Sequence, residues 1–116
     1  MISVCVWRRK EGIELLARGH AGYDVAGRDI VCAGVSALLY GLKSYLEEQS
    51  LLCHRGHVDC AEWDGGLWMR CRGFGGLDER AWEVTREGLA CIARVYAPYV
   101  TWEERSCKEE EPWKKW

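Results

Sequence analysis

A histidine and a cysteine bracket the least regular stretch of this sequence, GHAGYDVAGRDIVCAGVSALL at residues 19–39. His20 precedes a polar loop containing Gly22 and Gly27, and Cys32 opens a pattern of small and apolar residues at helical spacing. Asp29 is a good N-cap, which would make Ile30, Val31 and Cys32 the first helical residues. A thiolate in a first turn is an anion at the end of the helix macrodipole that favours anions, and the thiolate is the nucleophilic form of cysteine. It needs a partner that balances its charge and supplies a proton to a leaving group, and His20 is the available one. The glycines, free to adopt positive φ, allow the loop to fold the end of one element back to the start of the next. A Cys–His pair in hydrogen-bond reach is the requirement for thiol-dependent acyl transfer, and unpaired N–H groups of the same helical turn could hold an oxyanion. Spacing alone leaves three readings open: nucleophile and base, half of a metal site, or two residues that are merely neighbours. Asp29 is also open between helix cap and a carboxylate orienting His20. A carboxylate beside the thiol would disfavour the thiolate, so the cap is the reading adopted.

The elements that must position this pair follow from periodicity. MISVCVW alternates, with Ile2, Val4 and Val6 on one face, and reads as a strand. After the turn RRKEG, IELLARGH reads as a second strand forming a hairpin with the first and ending at Gly19. The first helix follows Asp29, carries Val31, Val35, Leu38, Leu42 and Tyr45 at helical spacing, and is expected to end near Gln49. Gly34 and Gly41 each weaken it by about 1 kcal/mol relative to alanine, and with Ala33, Ser36 and Ala37 leave a thin surface for close packing. HVDCAEW and LWMRCRG flank DGG and read as a second hairpin. Asp78 is expected to cap a second helix with Trp82, Leu89, Ile92 and Tyr96 on one stripe, ended or kinked by Pro98. The order ββαββα implies an α+β domain in two layers: a mostly antiparallel four-stranded sheet with two helices on one face. Residues 1–105 form the domain, and residues 106–116 a charged, Trp-containing tail; the stretch from Thr101 onward is expected to fray.

Composition narrows the function. The chain has 116 residues and a net charge of -2, which gives no sequence-wide attraction to nucleic acid or anionic membrane. No uninterrupted apolar run of membrane-spanning length and no secretory signal are apparent, so a cytoplasmic protein without direct nucleic-acid or membrane partners is expected. Seven cysteines without a signal argue against a disulfide framework. Cys5, Cys60, Cys71 and Cys91 sit in apolar patterns and read as small buried hydrophobes.

The block GHAGYDVAGRDIVCAGVSALLYGL closely resembles the signature of the ribosomal-processing cysteine protease family, Prp: Gly-His-Ala, a short glycine-containing loop, then Asp-Ile-Val-Cys-Ala, small residues and Ser-Ala-Leu. The resemblance extends over the order of elements up to about Tyr99. It implies a bacterial cysteine endopeptidase that removes a short N-terminal extension from the twenty-seventh protein of the large ribosomal subunit. It implies Cys32 as nucleophile, His20 as base, Asp29 as a motif position important for activity, and supporting positions at Gly19 and Ser36. It further implies a mobile loop over the site at residues 21–28, with Gly22, Tyr23 and Gly27, a homodimer with helices in the contact, and no cofactor or metal. Ser36, one turn beyond Cys32, would orient the thiol or touch substrate, or would simply satisfy a helix carbonyl.

Two other stretches of the sequence carry competing chemistry. CHRGHVDC offers Cys53, His54, His57 and Cys60 as zinc ligands, but all four fall in one short run with no second, separated pair, and a helix-to-strand connection fits it better. A non-catalytic ribosome- or RNA-binding module could stack bases on the abundant tryptophans. Yet Trp7, Trp63, Trp68 and Trp82 fit a core or a dimer contact better, and the basic residues are scattered among 18 acidic ones. With no C-x-x-C, a thiol-redox role lacks its motif.

Overall fold

The computed structural model describes residues 1–105. In chain order the elements are β1 (Ile2–Arg8), β2 (Ile13–Arg18), α1 (Ile30–Cys53), β3 (His57–Trp63), β4 (Gly66–Arg72), α2 (Leu77–Val95), a short 3-10 turn (Ala97–Tyr99) and β5 (Val100–Arg105). The expected two-layer α+β architecture is what forms, but the sheet has five strands, in the order β3-β4-β2-β1-β5. The hairpins β1–β2 and β3–β4 and the β2–β4 pairing are antiparallel, whereas β5 lies parallel to β1, with Trp7 opposite Arg105.

The fifth strand corrects the expectation that the chain frays from Thr101. Its helix-side positions are Val100, Trp102 and Glu104. Val100 enters the core and Trp102 packs against it. Glu104 accepts from the Trp82 indole N–H at 2.8 Å and from Arg86 at 3.2 Å, and pairs with Arg8 at 3.2 Å. Burial alone would raise the Glu104 carboxyl, but these donors hold it below its ordinary value. The run VTWEER looks like a charged tail because its inward-facing carboxylate is satisfied only by partners far away in sequence.

The core lies between the helices and one face of the sheet. Ile2, Val4 and Val6 of β1, Ile13, Leu15 and Ala17 of β2, and Leu67, Met69 and Cys71 of β4 meet Val31, Val35, Leu39, Leu42 and Leu46 of α1 and Trp82 and Leu89 of α2. The α1 stripe is thus shifted from the expected one: Leu39 and Leu46 point inward, Leu38 is only half-buried, and Tyr45 is exposed. By length and composition alone α1 would suffice to cross a bilayer, but one stripe of its apolar residues serves this core. It also runs to Cys53, past Gln49, and closes on His54 in the left-handed conformation (φ 50°). Residues 54–56 therefore form the helix-to-strand connection, with Ser50 donating to the Gly56 carbonyl at 2.7 Å and, at the start of β3, His57 bonded to Asp59 at 2.9 Å.

Asp78 does not cap α2. Gly76 occupies the cap, and Asp78 is buried in the first turn, where it accepts from the Ile13 N–H at 3.2 Å and the Glu79 N–H at 3.0 Å. It ties the first hairpin to the second helix. Of the cysteines expected to be buried, only Cys71 is; its thiol is pushed up to about 12 by burial. Cys5 is half-buried and Cys60 and Cys91 are exposed, because strand and helix patterns do not reveal which face is covered. Trp7 and Trp82 are fully buried, Trp68 partly so, and Trp63 is exposed.

Candidate active site

The sheet end that carries the β2 terminus, the β3–β4 turn and the start of α1 holds a cleft of about 180 Å³. Its walls include Gly19 and His20 from the end of β2, Cys32, Ser36 and Tyr40 from α1, and Trp63, Gly65 and Gly66 from the second hairpin. A second, wider groove lies under the glycine loop, with Gly22, Asp24, Gly27 and Asp29 on one side and Ala33 on the other. His20, Cys32 and Ser36 line both depressions and so mark where they meet. Ser36 follows Cys32 by one turn on the same face of α1.

Asp29 is the N-cap of α1: its Oδ1 accepts from the Cys32 N–H at 2.9 Å. Its Oδ2 accepts from the Tyr23 N–H at 3.1 Å, so one carboxylate fixes the helix start and closes the loop onto it. The Cys32 N–H bond, aided by that from Tyr23, holds the Asp29 carboxyl below its ordinary value. Asp29 does not reach His20. The Ala33 N–H is also engaged, to the Asp29 carbonyl at 3.0 Å. The first turn therefore offers fewer free N–H groups to an oxyanion than its position in the sequence suggests.

His20 is placed by its backbone. The Gly19 N–H donates to the Gly65 carbonyl at 2.8 Å, and the Met1 ammonium donates to the His20 carbonyl at 2.6 Å. Gly19 has φ +97°, and any side chain there would strike the Met1 carbonyl, so this position requires glycine. The imidazole is largely exposed, and its Nε2 lies 3.8 Å from Oδ1 of Asp64, itself fully exposed. Among the described residues no hydrogen bond joins His20 to Cys32, though both line the same cleft.

The loop is held at its near end. Tyr23 packs edge-on against Tyr96 and Tyr99, with ring centroids 5.4 and 5.3 Å apart. The positive-φ glycines Gly22 and Gly27 have open space around the Cβ they lack. Sequence reasoning missed Tyr40, Trp63 and Gly65, which line the cleft, and Asp64, which lies beside His20. The DGG turn was legible as a hairpin, but nothing in the sequence says that its tip comes beside His20.

A thiol in a first helical turn and an imidazole on the opposing strand end line one cleft of an α+β domain, the residue types that thiol-dependent acyl transfer requires. The family described as Cysteine protease Prp matches residues 1–101, and the chain belongs to that family and is a cysteine protease. Solved structures agree on the fold. An essential ribosomal processing protease Prp from S. aureus, with a covalently linked product peptide, superposes with a TM-score of 0.77 at 23% identity, over 90% of this chain and 99% of that one. The same S. aureus protease with a substrate peptide gives 0.63 at 23% identity, over 90% and 99%. SMU.848 from Streptococcus mutans gives 0.61 at 25% identity, over 91% and 95%. No curated protein matches the sequence.

Proposed function

We propose that this chain is a ribosomal-processing endopeptidase that removes the short N-terminal extension of a large-subunit ribosomal protein, the twenty-seventh, with Cys32 as nucleophile and His20 as base. The observation that carries the reading is that His20, Cys32 and Ser36 are common to both depressions in a chain of the Prp family. The S. aureus relatives, a ribosomal processing protease bound to substrate and product peptides, support the substrate class.

In this reading His20 takes the Cys32 proton, and Sγ attacks the scissile carbonyl carbon, forming a C–S bond while the carbonyl π pair moves to oxygen. Collapse breaks the C–N bond, and the imidazolium gives its proton to the departing amine. Water, deprotonated by His20, then attacks the thioester and releases the acid and Cys32. Substrate seated in the cleft brings His20 and Cys32 into hydrogen-bond reach in this reading. Gly19 keeps the strand end close-packed, Asp29 fixes the nucleophile's backbone, and Ser36 orients the thiol or the peptide. Gly22, Tyr23 and Gly27 belong to the loop that borders the substrate. The chemistry needs no cofactor or metal.

The protein acts in the cytoplasm in this reading, which its six free described cysteines suit. It works as a homodimer, to which the exposed Tyr40, Tyr45, Leu51 and Leu52 of α1 would contribute. Sedimentation of the purified chain tests that state. The activity is tested by incubating the chain with the extended ribosomal protein beside Cys32→Ala and His20→Ala. Each substitution is expected to cut the rate by on the order of 10⁴ or more while the fold persists. Cleavage that survives Cys32→Ala sinks the proposal.

A further inference from the structure

His20 has an acidic neighbour from outside its own sequence block. β2 and β4 pair antiparallel, with Ala17 opposite Leu67 and Arg18 opposite Gly66. Carried two residues further, that register sets Gly19 opposite Gly65 and His20 opposite Asp64. The ladder does continue, since the Gly19 N–H donates to the Gly65 carbonyl at 2.8 Å. His20 and Asp64 are thus cross-strand neighbours, an arrangement in which opposite charges attract. The Nε2 end of the ring is the end turned to the hairpin tip. It lies 3.8 Å from Oδ1 of Asp64 and 2.9 Å from the Cβ that Gly65 lacks.

The other carboxylates near the cleft are committed elsewhere. Asp29 accepts from the Cys32 and Tyr23 N–H groups, and Asp24 accepts from the Val25 N–H at 2.7 Å. Glu62 pairs with Lys43 at 3.2 Å and accepts from the Tyr40 hydroxyl at 3.4 Å. Among the described residues the Asp64 carboxylate pairs with His20 alone. The turn itself does not need a carboxylate there. Its left-handed residue is Gly65 (φ +76°), and asparagine serves as well as aspartate before such a glycine.

We infer, on the reading of His20 as the base, that Asp64 is its positioning residue. With Nε2 turned to Asp64, Nδ1 is the nitrogen left to take the Cys32 proton. The imidazolium so formed keeps its Nε2–H, and the Asp64 carboxylate accepts that hydrogen bond without taking the proton. Closing 3.8 Å to the ~2.8 Å of a charge-assisted hydrogen bond takes about 1 Å, which rotation of the exposed Asp64 side chain supplies. In the free protein, solvent screens the pair. A peptide lying over the cleft lowers the local dielectric and strengthens the attraction as charge develops on the ring. The effect therefore falls on kcat rather than on KM.

The full chain, Asp64→Asn, Asp64→Glu and His20→Ala are compared in cleavage of the extended ribosomal protein, and the ring nitrogens of His20 are followed by NMR. Asp64→Asn keeps the turn and removes the charge. It is expected to lower kcat about 10- to 100-fold, to leave KM and Tm unchanged, and to shift the Nε2 resonance more than the Nδ1 resonance. Asp64→Glu, which keeps the charge, is expected to recover most of the lost kcat. Parent kcat in Asp64→Asn overturns the inference. So does an equal loss in both Asp64 variants without a selective Nε2 shift, which would assign the loss to the turn. Activity retained in His20→Ala removes the base and Asp64 together, whereas an inactive His20→Ala beside a fully active Asp64→Asn removes only Asp64. If no variant or parent cuts this precursor, the substrate reading fails and the Nε2 shift still decides for or against Asp64.

Discussion

Gly65→Ala is the sharpest test of how His20 is positioned. Gly65 has φ +76°, and a Cβ built on it would lie 2.9 Å from His20 Nε2. Gly75, in the loop before α2, has φ +63° with nothing within 4 Å of its missing Cβ. Alanine at either position bears the left-handed strain, about 1–2 kcal/mol, which for a domain this size lowers Tm by very roughly 3–10 °C. Only Gly65→Ala adds a clash. Ordinary contact begins at 3.4 Å, so the ring must retreat by 3.4 − 2.9 = 0.5 Å. The imidazole side chain is 66% exposed and can do so at little cost in stability. The two variants should therefore melt alike and differ in catalysis. A misplacement of this order in a catalytic group costs about 10- to 100-fold. Peptide cleavage assays should find kcat/KM reduced by that factor in Gly65→Ala and within twofold of the parent in Gly75→Ala. The His20 ring resonances should shift in the first and not in the second. Equal activity in the two variants would refute the claim that the second hairpin's tip sets the position of His20.

Further perturbations separate other roles. Asp29 is held below its ordinary value in the fold, so its stabilisation is present above the carboxylate's ordinary range and lost as pH falls through the depressed value. Asp29→Asn, which keeps a cap acceptor, should flatten the acid limb of Tm against pH; an unchanged limb counts against the cap as its cause. Asp78→Ala leaves the buried Ile13 N–H without its acceptor and should cost about 1.5–3 kcal/mol in chemical denaturation, with Asp78→Asn costing less; no loss in either dismisses the tie between hairpin and α2. Tyr23→Ala removes both edge-on ring contacts and should speed proteolysis within residues 21–28 while leaving Tm within a few degrees. Unchanged proteolysis would mean the tyrosine cluster does not restrain the loop.

What the sequence made legible was whatever is governed by near neighbours. Alternation fixed β1, the DGG turn announced the second hairpin, and Asp29 three residues before Cys32 announced a cap that the structure forms with the Cys32 N–H at 2.9 Å. Features set by distant partners escaped. β5 reads as charged tail until Glu104 meets Trp82, Arg86 and Arg8. Asp78 reads as a cap until the Ile13 N–H, 65 residues away, claims it. The small shift of the α1 stripe, to Leu39 and Leu46, has the same origin: a helix rich in apolar residues all round does not say which stripe the sheet will cover. The cleft was half legible for this reason. His20, Cys32 and Ser36 come from one continuous block, while Tyr40, Trp63 and Gly65 join them only through the fold.

The same division explains how Asp29 can serve a thiol without touching it. A carboxylate in direct contact with Sγ would oppose the thiolate through its charge. Here both carboxylate oxygens are turned to backbone N–H groups, one on Cys32 and one on Tyr23. The first bond holds the backbone of the helix turn that carries Sγ, and the second closes the loop at its near end, where Tyr23 rests on Tyr96 and Tyr99. Between that anchor and the cap, the Asp24–Gly27 stretch is exposed and flanks the groove that Cys32, Ala33 and Ser36 share. In the proposed reading, a peptide laid in this groove can displace the middle of the loop while the Asp29 cap still holds the helix turn that carries Sγ.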